Sequence, residues 1–248
     1  MHENKKMTIS IWNGVYSTWK EAESYGIGFR SSRWLERIAS QLKEYRKDPE
    51  SFPPRPSDLP LLCAATKSLS VLDFGGSSGW VFDFYMNSIS DQTINNYTVL
   101  EISELVEFMQ QSRLHENSGV LKYTKKIGVN ERFDVLYTNS TLQYLGEDSV
   151  FFDLIKTTVP DYILLEDFIC GDFDDFYTLQ TYHDNKIPVK FRNKNKFTDE
   201  ICRYGYKLIL AKPYIATVFG LMQCLPMSNL PEKLRVSHGM TLFFKKNI

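Results

Sequence analysis

The stretch Val71-Leu-Asp-Phe-Gly-Gly-Ser-Ser-Gly79 restricts what this chain can fold into more than any other part of it. Ser70 to Phe74 has the apolar character of a buried strand. Gly75, Gly76 and Gly79 follow at once, where the absence of a Cβ permits positive φ and lets a ligand lie against bare main chain. Val81 to Met86 then has the composition of a helix, whose first N–H groups find no partner within the helix and remain available. Strand, glycine turn and helix in this order form the nucleotide cradle of open α/β sheets.

The flanking sequence has the matching rhythm. Tyr97 to Glu101, Val120 to Tyr123, Phe133 to Asn139 and Tyr162 to Glu166 are further strand candidates. Leu105, Phe108 and Met109 mark a helix face between the second and third of the five strands, and Phe151, Leu154 and Ile155 mark another between the fourth and fifth. Strands alternating with helices imply parallel pairing through crossovers, hence a three-layer, Rossmann-like α/β sheet. Phe197 to Tyr204 reads as a helix. Tyr206 to Ala211 and Met240 to Phe244 read as strands with no helical pattern between them, which predicts an antiparallel C-terminal edge. Upstream, prolines crowd the run from Asp48 to Pro60 and forbid helix or inner strand there. Before that connector, Leu35, Ile38, Ala39, Leu42 and Tyr45 recur at helical steps and form one apolar stripe. The expected organisation is an N-terminal helical cap with its Pro-rich connector over residues 1–60, and the α/β domain over 61–248.

With 29 basic and 30 acidic residues, the charge balance gives no reason to expect nucleic acid or an anionic membrane as partner. No apolar run approaches the roughly 20 residues of a membrane span. The four cysteines lie far apart with no Cys-x-x-Cys pair, and no apolar signal core follows the first residues. Both features predict a cytoplasmic protein with reduced thiols.

The glycine spacing bears on the ligand. A dinucleotide fingerprint spaces its glycines Gly-x-Gly-x-x-Gly so that a helix N-terminus meets a pyrophosphate. Here the spacing is Gly-Gly-x-x-Gly, preceded by Asp73, an acid that repels phosphate and suits a ligand bearing ammonium and sulfonium groups. Glu101, at the end of the next strand, is placed to accept both hydroxyls of a ribose. In these residues the chain resembles the class I S-adenosylmethionine-dependent methyltransferases, whose first motif has the form Asp/Glu-x-Gly-x-Gly-x-Gly. Asp73, Gly75 and Gly79 match that motif, and Ser77 stands at its middle glycine. The resemblance implies S-adenosyl-L-methionine as cofactor, with Asp73, Gly75, Gly76, Ser77, Gly79 and Glu101 binding it. It also implies that Asn139, Ser140 and Tyr144, after the fourth strand, face its methionine portion and the acceptor. Ile11 to Ala22, Leu142-Gln-Tyr-Leu145 and Ile187-Pro-Val-Lys190, taken with the motif, are similar to a narrower group of methyltransferases from bacterial surface-polysaccharide gene clusters. That similarity implies, as partner, a sugar or glycan acceptor of an O-antigen or capsule precursor, whether nucleotide-linked, lipid-linked or polymeric.

Methyl transfer is an in-line displacement that asks a protein mainly for alignment and the exclusion of water. A sugar hydroxyl is a poor nucleophile at neutral pH, so a positioned base is worth about 10²–10⁴-fold. Candidates lie beyond the carboxyl ends of the strands. They are Asp167, which with Glu166 ends the fifth strand, and His183 in the segment Tyr177 to Asn185. Plain alternatives stand beside these assignments. The glycines could form a structural turn, Glu101 a solvated strand end and Asp73 a side-chain cap of the turn. Trp80 and Tyr144 either face a sulfonium through their π surfaces or pack the core. Asp172, Asp174 and Asp175 read as a solvated loop and not a divalent-cation site, so no metal is expected. Lys190, Arg192, Lys194 and Lys196 read as a plain charged loop in preference to a grip on phosphates. Phe219 to Pro231, apolar for a loop, either seals the pocket or forms a subunit contact, which leaves an oligomer open. Two other functions compete: an NAD-dependent sugar oxidoreductase, disfavoured by the glycine spacing, and a non-catalytic binding module on the same fold.

Overall fold

The computed structural model describes residues 11–22, 28–48, 56–66, 68–88, 94–112, 114, 119–182, 185–215, 217–218, 221–222 and 224–247. The chain enters through strand β1 (Trp12–Tyr16) and a 3-10 turn at Gly28–Arg30 that leads into helix α1 (Ser32–Lys47). Ser31 caps α1, its hydroxyl accepting a hydrogen bond from the Trp34 amide at 3.3 Å. The stripe Leu35, Ile38, Ala39, Leu42 and Tyr45 is buried as the periodicity requires, with Leu35 and Leu42 packed against Leu105 and Met109.

Helix α2 (Leu59–Ala65) opens the α/β body and corrects the expected end of the connector: Pro60 stands in its first turn, where a missing N–H costs no helical hydrogen bond. There follow β2 (Leu69–Phe74), α3 (Trp80–Ser88), β3 (Ile94–Leu100), α4 (Ser103–Ser112), β4 (Leu121–Thr124), β5 (Val135–Asn139), α5 (Ser149–Thr158) and β6 (Tyr162–Phe168). These five strands pair in parallel, β3 and β5 flanking β2, β4 beyond β3 and β6 beyond β5. Successive side chains of a strand point to opposite faces. Leu72 and Leu136 accordingly join Phe151, Ile155 and Ile163 in one core layer. Val71 and Val135 join Phe82, Tyr97 and Tyr137 in another. A parallel sheet covered on both faces explains why its strands read as continuous apolar runs.

The remaining elements are β7 (Cys170–Gly171), β8 (Phe176–Tyr182), β9 (Asn185–Asn193), α6 (Lys194–Arg203), β10 (Tyr206–Tyr214), the short pair β11 (Thr217–Val218) and β12 (Leu221–Met222), and β13 (Gly239–Lys246). β13 pairs antiparallel with both β6 and β10, so the antiparallel C-terminal edge is as the sequence predicts. Among the described residues the main sheet has seven strands in the order β10-β13-β6-β5-β2-β3-β4. From β2 the chain runs outward to β3 and β4, then returns to β5 and β6 on the other side. The order therefore reverses between β2 and β5, and a crevice opens beyond their carboxyl ends.

A second sheet, order β1-β8-β9-β7, goes beyond the expectation from sequence. β1 pairs with β8 and β8 with β9, both antiparallel, so the N-terminal segment shares a sheet with residues of the α/β body. The reading of Lys190 to Lys196 as a charged loop is corrected here. Lys190 and Arg192 lie on β9 and are 7% and 1% exposed. They close on Asp148, Lys190 Nζ at 2.7 Å and Arg192 Nη2 at 2.6 Å, and Lys190 also reaches Asp175 at 3.2 Å. Lys194 and Lys196 pair at the surface with Asp172 and Asp174, so the acidic and basic runs largely neutralise one another. Of the apolar stretch Phe219 to Pro231, residues 219, 220 and 223 lie outside the described residues. Met227 and Leu230 pack onto the second sheet with Trp12, Phe176 and Phe191, a role neither alternative foresaw for them. Among the described residues no helix is long and apolar enough to cross a membrane.

Candidate cofactor cleft

The crevice at the switch point is a cleft of about 960 Å³, within the range of small-molecule and cofactor sites. Its floor is the turn after β2. Gly75 has φ +72° and its amide donates to Leu100 O at 2.9 Å, tying the turn to the end of β3. A Cβ on Gly75 would stand 2.2 Å from the Thr141 side chain, and one on Gly76 would stand 2.2 Å from Asp73 Oδ2. Both glycines are therefore obligatory, one because Thr141 closes over it and the other because the Asp73 carboxylate is tucked beneath it. Ser77 takes φ +54°, so the serine at the middle-glycine position carries the left-handed backbone that a glycine would adopt freely. Gly79 has φ +73° immediately before α3, but it does not line the cleft.

Asp73 is 1% exposed and accepts one hydrogen bond, from Tyr97 Oη to Oδ2 at 2.6 Å. Its Oδ1 is buried with no partner. The turn-capping alternative is thus not what the side chain does. Burial pushes its pKa up to about 7 against the opposing hydrogen bond from Tyr97, with the charges of Glu101 and Glu166 raising it further.

Glu101 closes the cleft beyond β3. Its Oε1 accepts from the Ser77 amide at 3.1 Å and its Oε2 from the Ile102 amide at 2.9 Å. Each carboxylate oxygen keeps a further lone-pair direction, so Glu101 can hold the turn and accept two hydroxyls at once. Desolvation raises its pKa, partly offset by those two amides.

The far wall comes from β5 and the turn after it. Asn139, Ser140 and Tyr144 all line the cleft. Ser140 stands at φ +55°, its amide donating to Glu166 O at 3.0 Å and its hydroxyl accepting from Gln143 at 2.8 Å. Tyr144 donates to Gln180 Oε1 at 2.8 Å and meets Phe29 edge to face at 4.8 Å. Trp80 lines the cleft too, with its ring 4.3 Å from that of Tyr45 on α1.

The two proposed bases sit differently. Asp167 does not line the cleft. It occupies a bulge of β6 at φ +48°, and its Oδ1 lies 2.8 Å from where a Cβ on Gly239 would stand, so the carboxylate rests against β13. Its charge still reaches the site, since after burial it is the leading cause that raises the Tyr144 pKa. His183 lies outside the described residues, next to Tyr182, which lines the cleft. The roof went unforeseen in its detail: Phe29, Trp34 and Arg37 come from the N-terminal segment, and Tyr182 ends β8. Arg37 donates to Tyr182 Oη at 2.9 Å, closing the roof across two elements.

No family model and no curated protein matches the chain. Solved structures do. An S-adenosylmethionine-dependent methyltransferase from Clostridium acetobutylicum matches at TM-score 0.53 and 9% identity, covering 86% of this chain and 100% of that one. The 1,6-didemethyltoxoflavin-N1-methyltransferase of Burkholderia thailandensis, solved with bound 1,6-didemethyltoxoflavin and S-adenosylhomocysteine, matches at 0.51 and 11%, covering 88% and 91%. A magnesium protoporphyrin IX methyltransferase from Synechocystis, solved with bound S-adenosylmethionine, matches at 0.50 and 10%, covering 92% and 89%. The fold is that of the class I S-adenosylmethionine-dependent methyltransferases.

Proposed function

We propose that this chain is an S-adenosylmethionine-dependent methyltransferase acting on a hydroxyl of a sugar or glycan in bacterial surface-polysaccharide synthesis. The observation that carries the first half is the pairing, across one cleft, of a turn stripped of Cβ atoms with a carboxylate that keeps acceptor capacity. Asp73, with a buried orphan oxygen, favours a cationic ligand over a pyrophosphate and so opposes a dinucleotide. When bound, the cofactor supplies an electrophilic methyl group on sulfonium.

The chain's own residues supply the rest. Gly75, Gly76 and Ser77 give the main-chain floor, Glu101 the ribose contact, and Asn139 and Ser140 the contacts to the methionine end. Phe29, Trp34, Tyr144 and Tyr182 form an aromatic chamber in which a sugar face can stack while water is excluded. Asp167 and His183 are the proposed bases. The sugar acceptor rests on sequence resemblance together with this aromatic lining.

Calorimetric titration with S-adenosylhomocysteine tests the cofactor site. Wild type is expected to bind, and Glu101→Ala to bind at least about 10-fold more weakly, the worth of a hydrogen bond to a charged group. Equal affinity in the two proteins removes the ribose assignment.

A further inference from the structure

The charges that line the cleft are sorted by side. Asp73, Glu101 and Glu104 come from β2, the end of β3 and the first turn of α4, whereas Arg30 and Arg37 come from the 3-10 turn and α1. The acids thus stand on the side assigned to a cationic cofactor, and the guanidiniums stand in the roof, over the chamber assigned to the acceptor. Both flank that chamber. Arg30 adjoins Phe29, and Arg37 follows Trp34 by one helical turn on the face of α1 that lines the cleft. Arg37 is exposed although it lines the cleft, which puts it at the mouth. Its Nη1 donates to Tyr182 Oη at 2.9 Å, and its guanidinium carbon lies 5.7 Å from the centroid of the Tyr182 ring. A phenol is a neutral acceptor, so this contact aims the guanidinium without cancelling its charge. Arg30 Nε lies 3.4 Å from Glu104 Oε1, with side chains 69% and 41% exposed, a solvent-screened pair that an anionic ligand opens at little cost.

The basic run of the sequence offers no competing grip on an anion. Lys190 and Arg192 are buried on Asp148, Lys194 and Lys196 pair with carboxylates at the surface, and none of the four lines the cleft. A neutral sugar stacked on Phe29, Trp34 and Tyr182 makes no use of the guanidiniums at the ends of the chamber. A phosphate group does, because the planar fork of an arginine matches two of its oxygens at once, and two such cations suit the charge of a pyrophosphate better than that of a single carboxylate. We propose that the acceptor is a sugar carried on a phosphate or pyrophosphate group, which Arg37 and Arg30 hold at the mouth of the cleft, and not a finished neutral polymer. This inference rests on the methyltransferase reading above and names the carrier chemistry of its acceptor.

The test loads the protein with S-adenosylhomocysteine and titrates it, at one ionic strength, with uridine diphosphate glucose, glucosyl farnesyl diphosphate, methyl glucoside and methyl glucuronide. At least one diphosphate sugar is expected to bind wild type about 10-fold or more tightly than methyl glucoside, and the tighter of the two identifies the carrier as nucleotide or lipid. Arg37→Gln is expected to weaken that ligand by about 10-fold while S-adenosylhomocysteine and methyl glucoside stay within about 2-fold. Arg37→Lys, which keeps the charge but not the fork, is expected to lose less. Lys43→Gln removes an exposed charge from the same helix and is expected to change nothing. Methyl glucuronide that binds as tightly as the diphosphate sugars assigns the guanidiniums to a carboxylate and overturns the proposal. Equal losses in Arg37→Gln and Lys43→Gln, or a loss of methyl glucoside in step with the diphosphate sugar, overturn it too, as does a loaded protein that takes up none of the four probes. Wild type that fails to bind S-adenosylhomocysteine overturns the methyltransferase reading itself.

Discussion

Asp73 concentrates the residue-scale physics of the site. A carboxyl whose pKa rises from 3.8 to about 7 on folding takes up a proton between those values. The native state then binds more protons than the unfolded state, so stability falls as pH rises through this window and the penalty is fully present above it. Asp73→Asn removes the ionisation while keeping the shape. The ligand-free variant is expected to melt several degrees above wild type at pH 8, with the gap closing by pH 4, each kcal/mol being worth about 2–4 °C at this size. Melting curves across pH check this, and a gap independent of pH contradicts it. Gly76→Ala probes the same carboxylate from above. Because the new Cβ would stand 2.2 Å from Asp73 Oδ2, the variant is expected to lose S-adenosylhomocysteine binding by titration, whereas Gly205→Ala, with open space around its Cβ but φ +87°, is expected to lose only stability, by about 1 kcal/mol.

At the scale of elements, what sequence could show depended on whether burial and polarity agreed. In β2, β5 and β6 they do, and the runs Ser70 to Phe74, Phe133 to Asn139 and Tyr162 to Glu166 match strands Leu69–Phe74, Val135–Asn139 and Tyr162–Phe168 to within two residues at each end. In β9 they do not. Lys190 and Arg192 carry surface chemistry at buried positions, and Pro188 sits inside the ladder opposite Leu179, so the segment resembles a loop and the second sheet stays hidden. The partner that makes burial tolerable, Asp148, lies more than 40 positions upstream, and no local pattern reports it. Asp148 also stands at the N-cap of α5 without making a side-chain cap, because its carboxylate is turned to the two cations. Asp148→Ala leaves Arg192 buried without a carboxylate partner and Lys190 with Asp175 alone, and is expected to cost about 3–5 kcal/mol in denaturant unfolding. Asp174→Ala breaks an exposed pair with Lys196 and is expected to leave the unfolding midpoint nearly unchanged. Similar losses from the two would remove the distinction.

For the whole molecule, strand order does what no single residue can. It brings Glu101, the turn Gly75 to Ser77 and Asn139 side by side from three separate strands, and these cleft-lining residues were legible because each stands at the end of an apolar run. The roof was not. Phe29, Trp34 and Tyr182 belong to elements with no motif of their own, and they meet over the cleft through α1 and the second sheet. Cofactor binding is therefore expected to slow amide hydrogen exchange in α1 and in the turn Leu142–Tyr144, and to leave β10 and β13 unchanged. The most direct measurement is a crystal structure grown with saturating S-adenosylhomocysteine. The expected result is the nucleoside in the switch-point cleft, with its ribose hydroxyls within hydrogen-bond distance of Glu101 and its tail reaching Asn139. A ligand bound elsewhere on the protein, or a cleft left without it at saturation, contradicts the account.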